Sequence, residues 1–525
     1  MRSSGGSSAL ATTLLALAVA AGAGEAGEAG AARGAAAARA PGLRVLAVFP
    51  LPGRSHSIVG HSIVDILLQD GHEVHQFNNL FHPKFYLMNL GDVPGSPLHR
   101  PQFLGPAFTQ RALLHEAFQR LLRDPAERFD VVVAEWFYTG LLAPLAAVFS
   151  CPLIWYSAAD VSWQTLRLVH EASSPAYTTE LQSRAAPAHP YSLLDRADQL
   201  WQQFYLGAIV YYNEYVVEPP MYLAAYGPAL AARGARAAAY SALAFNASLL
   251  LVNCHPPLGQ RVPLAAAVRL VGGHHVQMPP EPLPQDLQKL LDDAEQGAIF
   301  FSLGSTVKSK DLPEDMTQEI LAMLGQLEQT VLWKFEGKLD NVPSNVHLLE
   351  WAPQPGILNH RNTALFITHG GLLSQVEATA FYVPVIGVPL FGDQFVNVDL
   401  AVARGVALRV DLTAGFPRRL QAAVNEALGD GGYRQRARDG ALQFALRPAP
   451  AAAEVAHWVR AVAATRGAPH LRSPAARMPL PRRLYLDLAA LALLALLALR
   501  WLLAAACRSL APATAPPTTD DKKLD

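Results

Sequence analysis

The chain has 525 residues, room for about two domains plus appendages. Its 42 basic and 43 acidic side chains leave a formal charge of −1, which removes any electrostatic case for nucleic acid as a partner. With 51% hydrophobic and 16% charged residues the composition is apolar for a soluble enzyme and points to membrane contact, while three cysteines make no disulfide framework.

Arg2 precedes an apolar stretch from about Ala9 to Ala21, followed by small residues, the pattern of a cleavable signal peptide over 1–24. Residues 25–42 are low-complexity. Gly22-Ala-Gly-Glu-Ala-Gly27 fits G-x-G-x-x-G but follows no strand and opens no helix, so it is rejected, and a nicotinamide oxidoreductase with it. Leu43 to Phe49 reads as an apolar strand, after which Leu51-Pro-Gly-Arg-Ser-His56 turns into a helical segment ending near Gly71-His72. By residue type alone, His56 is a helix-cap partner. Phe129 to Ala134 reads as a buried strand with Glu135 at its end. Between Leu166 and Leu230, Trp201, Phe204, Tyr205, Tyr211, Tyr212 and Tyr215 fit a helical region that lines a pocket, touches lipid or packs as ordinary core. Asn246-Ala-Ser248 is the sole glycosylation sequon.

The segment from Trp351 to Gln394 carries the most information. An apolar run, Ala364 to Ile367, ends at Thr368-His369-Gly370-Gly371 and passes into an amphipathic stretch with Ser374 and Glu377. A second run, Pro384 to Phe391, ends at Gly392-Asp393-Gln394. Apolar runs alternating with a helical pattern mark a βαβ unit in a parallel sheet, and such sheets bind ligands beyond their carboxyl ends. Gly370 and Gly371 let a ligand approach the backbone, and the helix start behind them suits a diphosphate. Ser374 and His369 can meet the same anion. Glu377, three residues on and on the same helical face, accepts hydrogen bonds as a ribose diol supplies them. Trp351 offers a flat face to a base, and Asp393 and Gln394 offer acceptors and donors to a second polyol. Base, ribose, diphosphate and polyol together describe a nucleotide sugar.

Leu484 to Cys507 is long enough to span a bilayer, at about 36 Å against a core of roughly 30 Å. A helix buried in the globular body is the alternative. Arg500 inside the stretch would snorkel, and flanking charge mildly favours the opposite orientation to the one adopted below. The chain ends Lys522-Lys523-Leu524-Asp525.

The segment 351–394 resembles the signature of the UDP-glycosyltransferases of glycosyltransferase family 1, most closely the invertebrate membrane-bound members. Gly297 to Ser309 (GAIFFSLGSTVKS), Leu283-Pro-Gln-Asp-Leu-Gln and Gly467-Ala-Pro-His-Leu-Arg472 add to the likeness, which runs from about residue 43 to the end. The resemblance implies an α/β GT-B fold, with two Rossmann-like domains facing across a cleft and one C-terminal transmembrane helix. It places an acceptor domain at 43–268, a UDP-sugar domain at 269–445, a return segment at 446–483, a membrane helix at 484–507 and a cytosolic tail at 508–525. The chain end resembles the dilysine signal of type I proteins in the endoplasmic reticulum, which with the signal peptide puts the body in the lumen.

His56 aligns with the family's catalytic histidine, and Glu135 stands where the family most often has aspartate. Ser305, Trp351, Gln354, His369, Gly370, Gly371, Ser374, Glu377, Asp393 and Gln394 match its donor-binding positions. Tyr382 stands where glycine is common; at φ > 0 it would cost about 1–2 kcal/mol. The implied reaction is inverting transfer of a sugar, glucose ahead of glucuronic acid, from a UDP-sugar co-substrate to a small lipophilic acceptor, without a metal. A catalytically idle relative that carries UDP-sugar or a lipophile is the different-class alternative, and a homo-oligomer stays open.

Overall fold

The computed structural model describes residues 42–78, 101–186, 188–305 and 307–510. The expected signal peptide, the low-complexity segment up to its last residue, and the lysine-ended tail lie outside the described residues. Among those described, twelve strands form two six-stranded sheets. The first comprises β1 (Arg44–Phe49), β2 (Glu73–Asn78), β3 (Val131–Glu135), β4 (Leu153–Ser157), β5 (Leu249–Val252) and β6 (Val268–Leu270), in the order β2-β1-β3-β4-β5-β6. The second comprises β7 (Ala298–Ser302), β8 (Thr330–Lys334), β9 (Val346–Leu349), β10 (Thr363–Thr368), β11 (Val385–Gly387) and β12 (Ala407–Arg409), in the order β12-β11-β10-β7-β8-β9. Every pairing is parallel.

Helices connect the strands and cover both faces, which is why runs such as Val45–Val48, Val131–Ala134 and Ile299–Phe301 are apolar without alternation and fully buried. These are two Rossmann-like domains, as the resemblance implies. The first sheet runs on through β6 to Leu270, past residue 268. Helix Ala451–Ala464 places Val455, Val459 and Val462 on one face, in one buried cluster with Val45, Ile63 and Val131 of the first domain. Each such valine contributes roughly 1.5–3 kcal/mol when fully buried. The chain therefore crosses back to the first domain after completing the second.

Helix Leu193–Tyr212 is turned inside out. Its buried residues are Gln199 and Leu206, while Trp201 and Phe204 are 62% and 68% exposed. Core packing, one of three readings for these aromatics, is thereby removed. Near the C-terminus, Leu486–Ser509 is long and apolar enough to cross a membrane, with a mean hydropathy of 2.3, and none of it is buried within the protein. That overturns the alternative of a core helix, because the helix has no apolar surface of its own chain to cover it.

Candidate active site

In the first sheet the chain steps from β1 to β2 on one side, then returns to β3 on the other. The reversal opens a crevice between the carboxyl ends of β1 and β3. His56 follows β1 in the first turn of helix Arg54–Gln69, and Glu135 is the last residue of β3. The pairing Val48↔Ala134 brings the two ends together. His56 Nδ1 donates to Glu135 Oε1 at 2.5 Å. An ionised carboxylate only accepts, so the hydrogen is assigned to Nδ1 and the Nε2 lone pair is left for a substrate. Glutamate, one methylene longer than the family's usual aspartate, thus still reaches the imidazole. Gly53 lets the loop turn tightly against the ring, since a Cβ there would lie 2.8 Å from His56 Cδ2.

Burial pulls the His56 pKa down, but the charge and hydrogen bond of Glu135, then the charge of Asp393, carry it above its ordinary value. The imidazole keeps 24% of its side-chain surface open, while the Glu135 carboxylate is buried with Oε2 unpartnered.

The second sheet reverses between β7 and β10, which pair through Thr368↔Ser302. Gly304-Ser305 and His369-Gly370-Gly371 therefore leave adjacent strand ends. The glycines also do something the sequence does not predict. Gly370 has φ +80°, and a Cβ there would lie 2.2 Å from Val398 Cγ2. A Cβ on Gly371 or Gly304 would lie 2.5 or 2.6 Å from the His369 ring. The missing side chains make room for the protein's own imidazole and valine rather than for a ligand alone. Burial, with the charge of Lys334, pushes His369 down to about 4, so the ring is neutral. Helix Leu372–Ala380 starts at Gly371 without a side-chain cap, leaving its first amides free for an anion.

Ser374 and Glu377 are buried on that helix. Gln354 Nε2 donates to Glu377 Oε2 at 2.7 Å and to Ser374 Oγ at 3.3 Å. Burial lifts Glu377 to about 7, against the pull of the Gln354 hydrogen bond. His275 Nε2 stands 3.7 Å from Glu377 Oε1, and both its ring nitrogens are buried without a hydrogen-bond partner. Sequence reasoning missed His275; the two adjacent histidines after Gly272-Gly273 were the available signal.

A cleft of about 1280 Å³ is lined by Arg54, Ser57 and Ser62 from the first domain and by Ser305, Lys334 and Trp351 from the second, with His275 between. Trp351 is 48% exposed. Asp393 precedes helix Gln394–Ala403 and accepts from Asn397 Nδ2 at 2.9 Å; burial raises its pKa. Gln394 Oε1 accepts from the backbone N–H groups of Leu390 and Phe391 at 2.9 and 3.1 Å. Its acceptor end is therefore taken by its own loop, and only the amide end can serve a polyol. Among the described residues no three or more His, Cys, Asp or Glu side chains cluster as metal ligands would.

A family model described as UDP-glucoronosyl and UDP-glucosyl transferase matches residues 212–514, more than half of the chain. The chain belongs to this family. It is an enzyme, a UDP-glycosyltransferase. This transferase is 29% identical to UDP-glucosyltransferase 2 of Dactylopius coccus over 489 residues, 89% of this chain and 93% of the relative. It is 34% identical to UDP-glucuronosyltransferase 2B13 of Oryctolagus cuniculus over 229 residues, 43% of each. A solved UDP-glucosyltransferase from Polygonum tinctorium shares its GT-B-like fold at a TM-score of 0.54 and 17% identity, covering 81% of this chain and 99% of that one.

Proposed function

We propose that the enzyme transfers glucose from UDP-glucose to a hydroxyl of a small lipophilic acceptor, with inversion at the anomeric carbon. His56 Nε2 takes the acceptor proton as the oxygen attacks. The bond from the anomeric carbon to the diphosphate oxygen breaks, and UDP leaves from the opposite face. Glu135 holds Nδ1–H and stabilises the imidazolium that forms. Trp351 stacks the base, Glu377 with Gln354 holds the ribose, and Ser305, Ser374, His369 and the amides at Gly370 and Gly371 receive the diphosphate. Asp393 and the Gln394 amide take the sugar.

One observation carries this reading. The His56–Glu135 pair stands at the reversal point of the first sheet, with Nδ1 held by the carboxylate and Nε2 left for an acceptor hydroxyl. The Dactylopius coccus relative, matched over most of its length, favours glucose, while Asp393 and Gln394 are compatible with either sugar. The uncovered apolar helix Leu486–Ser509 supports a single membrane anchor, and with it we place both domains on the lumenal side of the endoplasmic reticulum.

Incubating membranes with UDP-glucose and UDP-glucuronate against phenols and steroids, with mass detection of products, tests donor and class together. His56→Ala should abolish transfer and keep UDP binding; unchanged transfer would remove the histidine-base mechanism. Silence with both donors would remove glucose and glucuronate as the transferred sugar.

A further inference from the structure

Arg54 belongs to the first domain, yet its guanidinium carbon lies 3.4 Å from the centroid of the Trp351 ring in the second. At that distance the contact is face-on. Because Arg54 reaches from across the cleft, the face it covers is the one turned towards the cleft. Lys334 also approaches this indole, at 5.8 Å, but is ion-paired to Glu336. Arg54 opens the helix that carries His56 in its first turn, and Ser305 lines the same cleft.

We infer that Arg54 and the donor's base compete for one face of Trp351: as the donor enters, Arg54 gives up the indole to the base and turns to the diphosphate. This deepens the nucleotide-sugar reading and rests on it. A base offers the indole a wider planar contact than a guanidinium does. The displaced fork of N–H donors matches phosphate oxygens, and its side chain is long enough to stay in the cleft. Donor entry would thereby also load the first turn of the helix bearing the base, linking the two domains through one side chain.

The two halves of the exchange pull in opposite directions, which separates it from a plain structural clasp between domains. Calorimetry on the full-length enzyme in detergent, with uridine and with UDP, reads both. In Arg54→Ala uridine should bind about 3- to 10-fold tighter, because its platform is uncovered. UDP should bind roughly 10-fold weaker, because a charge-assisted contact is lost. Arg54→Lys, which keeps charge but not a planar stack, should tighten uridine similarly while holding UDP near wild type. Uridine unchanged or weakened in Arg54→Ala, or UDP tightened along with it, would overturn the exchange. Wild-type enzyme that fails to bind UDP would instead sink the nucleotide-sugar reading itself.

Discussion

A general base works best when its acidity lies near the working pH, and His56 is tuned upward by Glu135 and Asp393 against its burial. Only the neutral ring accepts a proton, so transfer should fall as pH drops through this raised value. Glu135→Gln removes the charge that raises it. The acid limb of the kcat profile should then move to lower pH, with kcat down roughly 100-fold or more; an unmoved limb would dissociate Glu135 from the base. Glu377 makes a different compromise. Its folded pKa, about 7, exceeds its ordinary value, so its contribution to stability is full below the unfolded pKa and is lost as pH rises through about 7. Glu377→Gln should therefore be more stable than wild type above pH 7, on the order of 1–3 kcal/mol, with a higher KM for UDP-sugar. Thermal melts and donor titrations measure the two effects separately.

Each end of helix Leu372–Ala380 has a backbone position with positive φ. Before it, Gly370 satisfies the requirement. After it, Tyr382 sits at φ +49°. Tyr382→Gly should relieve strain and, after the extra chain entropy of glycine, stabilise by about 0.5–1 kcal/mol with kcat unchanged. A lower denaturation midpoint would show that packing of the tyrosine ring outweighs the strain. The apolar run Pro384 to Phe391 reads as one strand in the sequence, but only Val385–Gly387 pairs as β11. Beyond it, the backbone N–H groups of Leu390 and Phe391 bond to Gln394, which curls the run into the site loop.

Over the whole molecule, helix Ala451–Ala464 closes the first domain and Leu486–Ser509 stands clear of both. Truncations should separate the two. Ending the chain after Arg483 should leave UDP affinity unchanged and release the protein from membranes into detergent-free buffer. Ending it before Ala451 should strip Val455, Val459 and Val462 from the first sheet and leave the protein aggregated. Membrane fractionation and sedimentation distinguish the outcomes, and retention of the longer truncation on membranes would point to the exposed face of helix Leu193–Tyr212.

Strand and helix periods, the polar residues at strand tips and the apolar C-terminal stretch are local properties, and the amino-acid order alone determined them. Which groups meet depended on tertiary structure. Glu135 finds His56 across 79 residues of chain because β1 and β3 are neighbours. Gly304 and Gly371 frame His369, His275 comes to rest by Glu377, and Arg54 covers Trp351, all through contacts between distant segments. Acidity followed the same rule: burial moves His369 and Glu377, while His56 is raised by Glu135 and Asp393, groups that only the fold brings close.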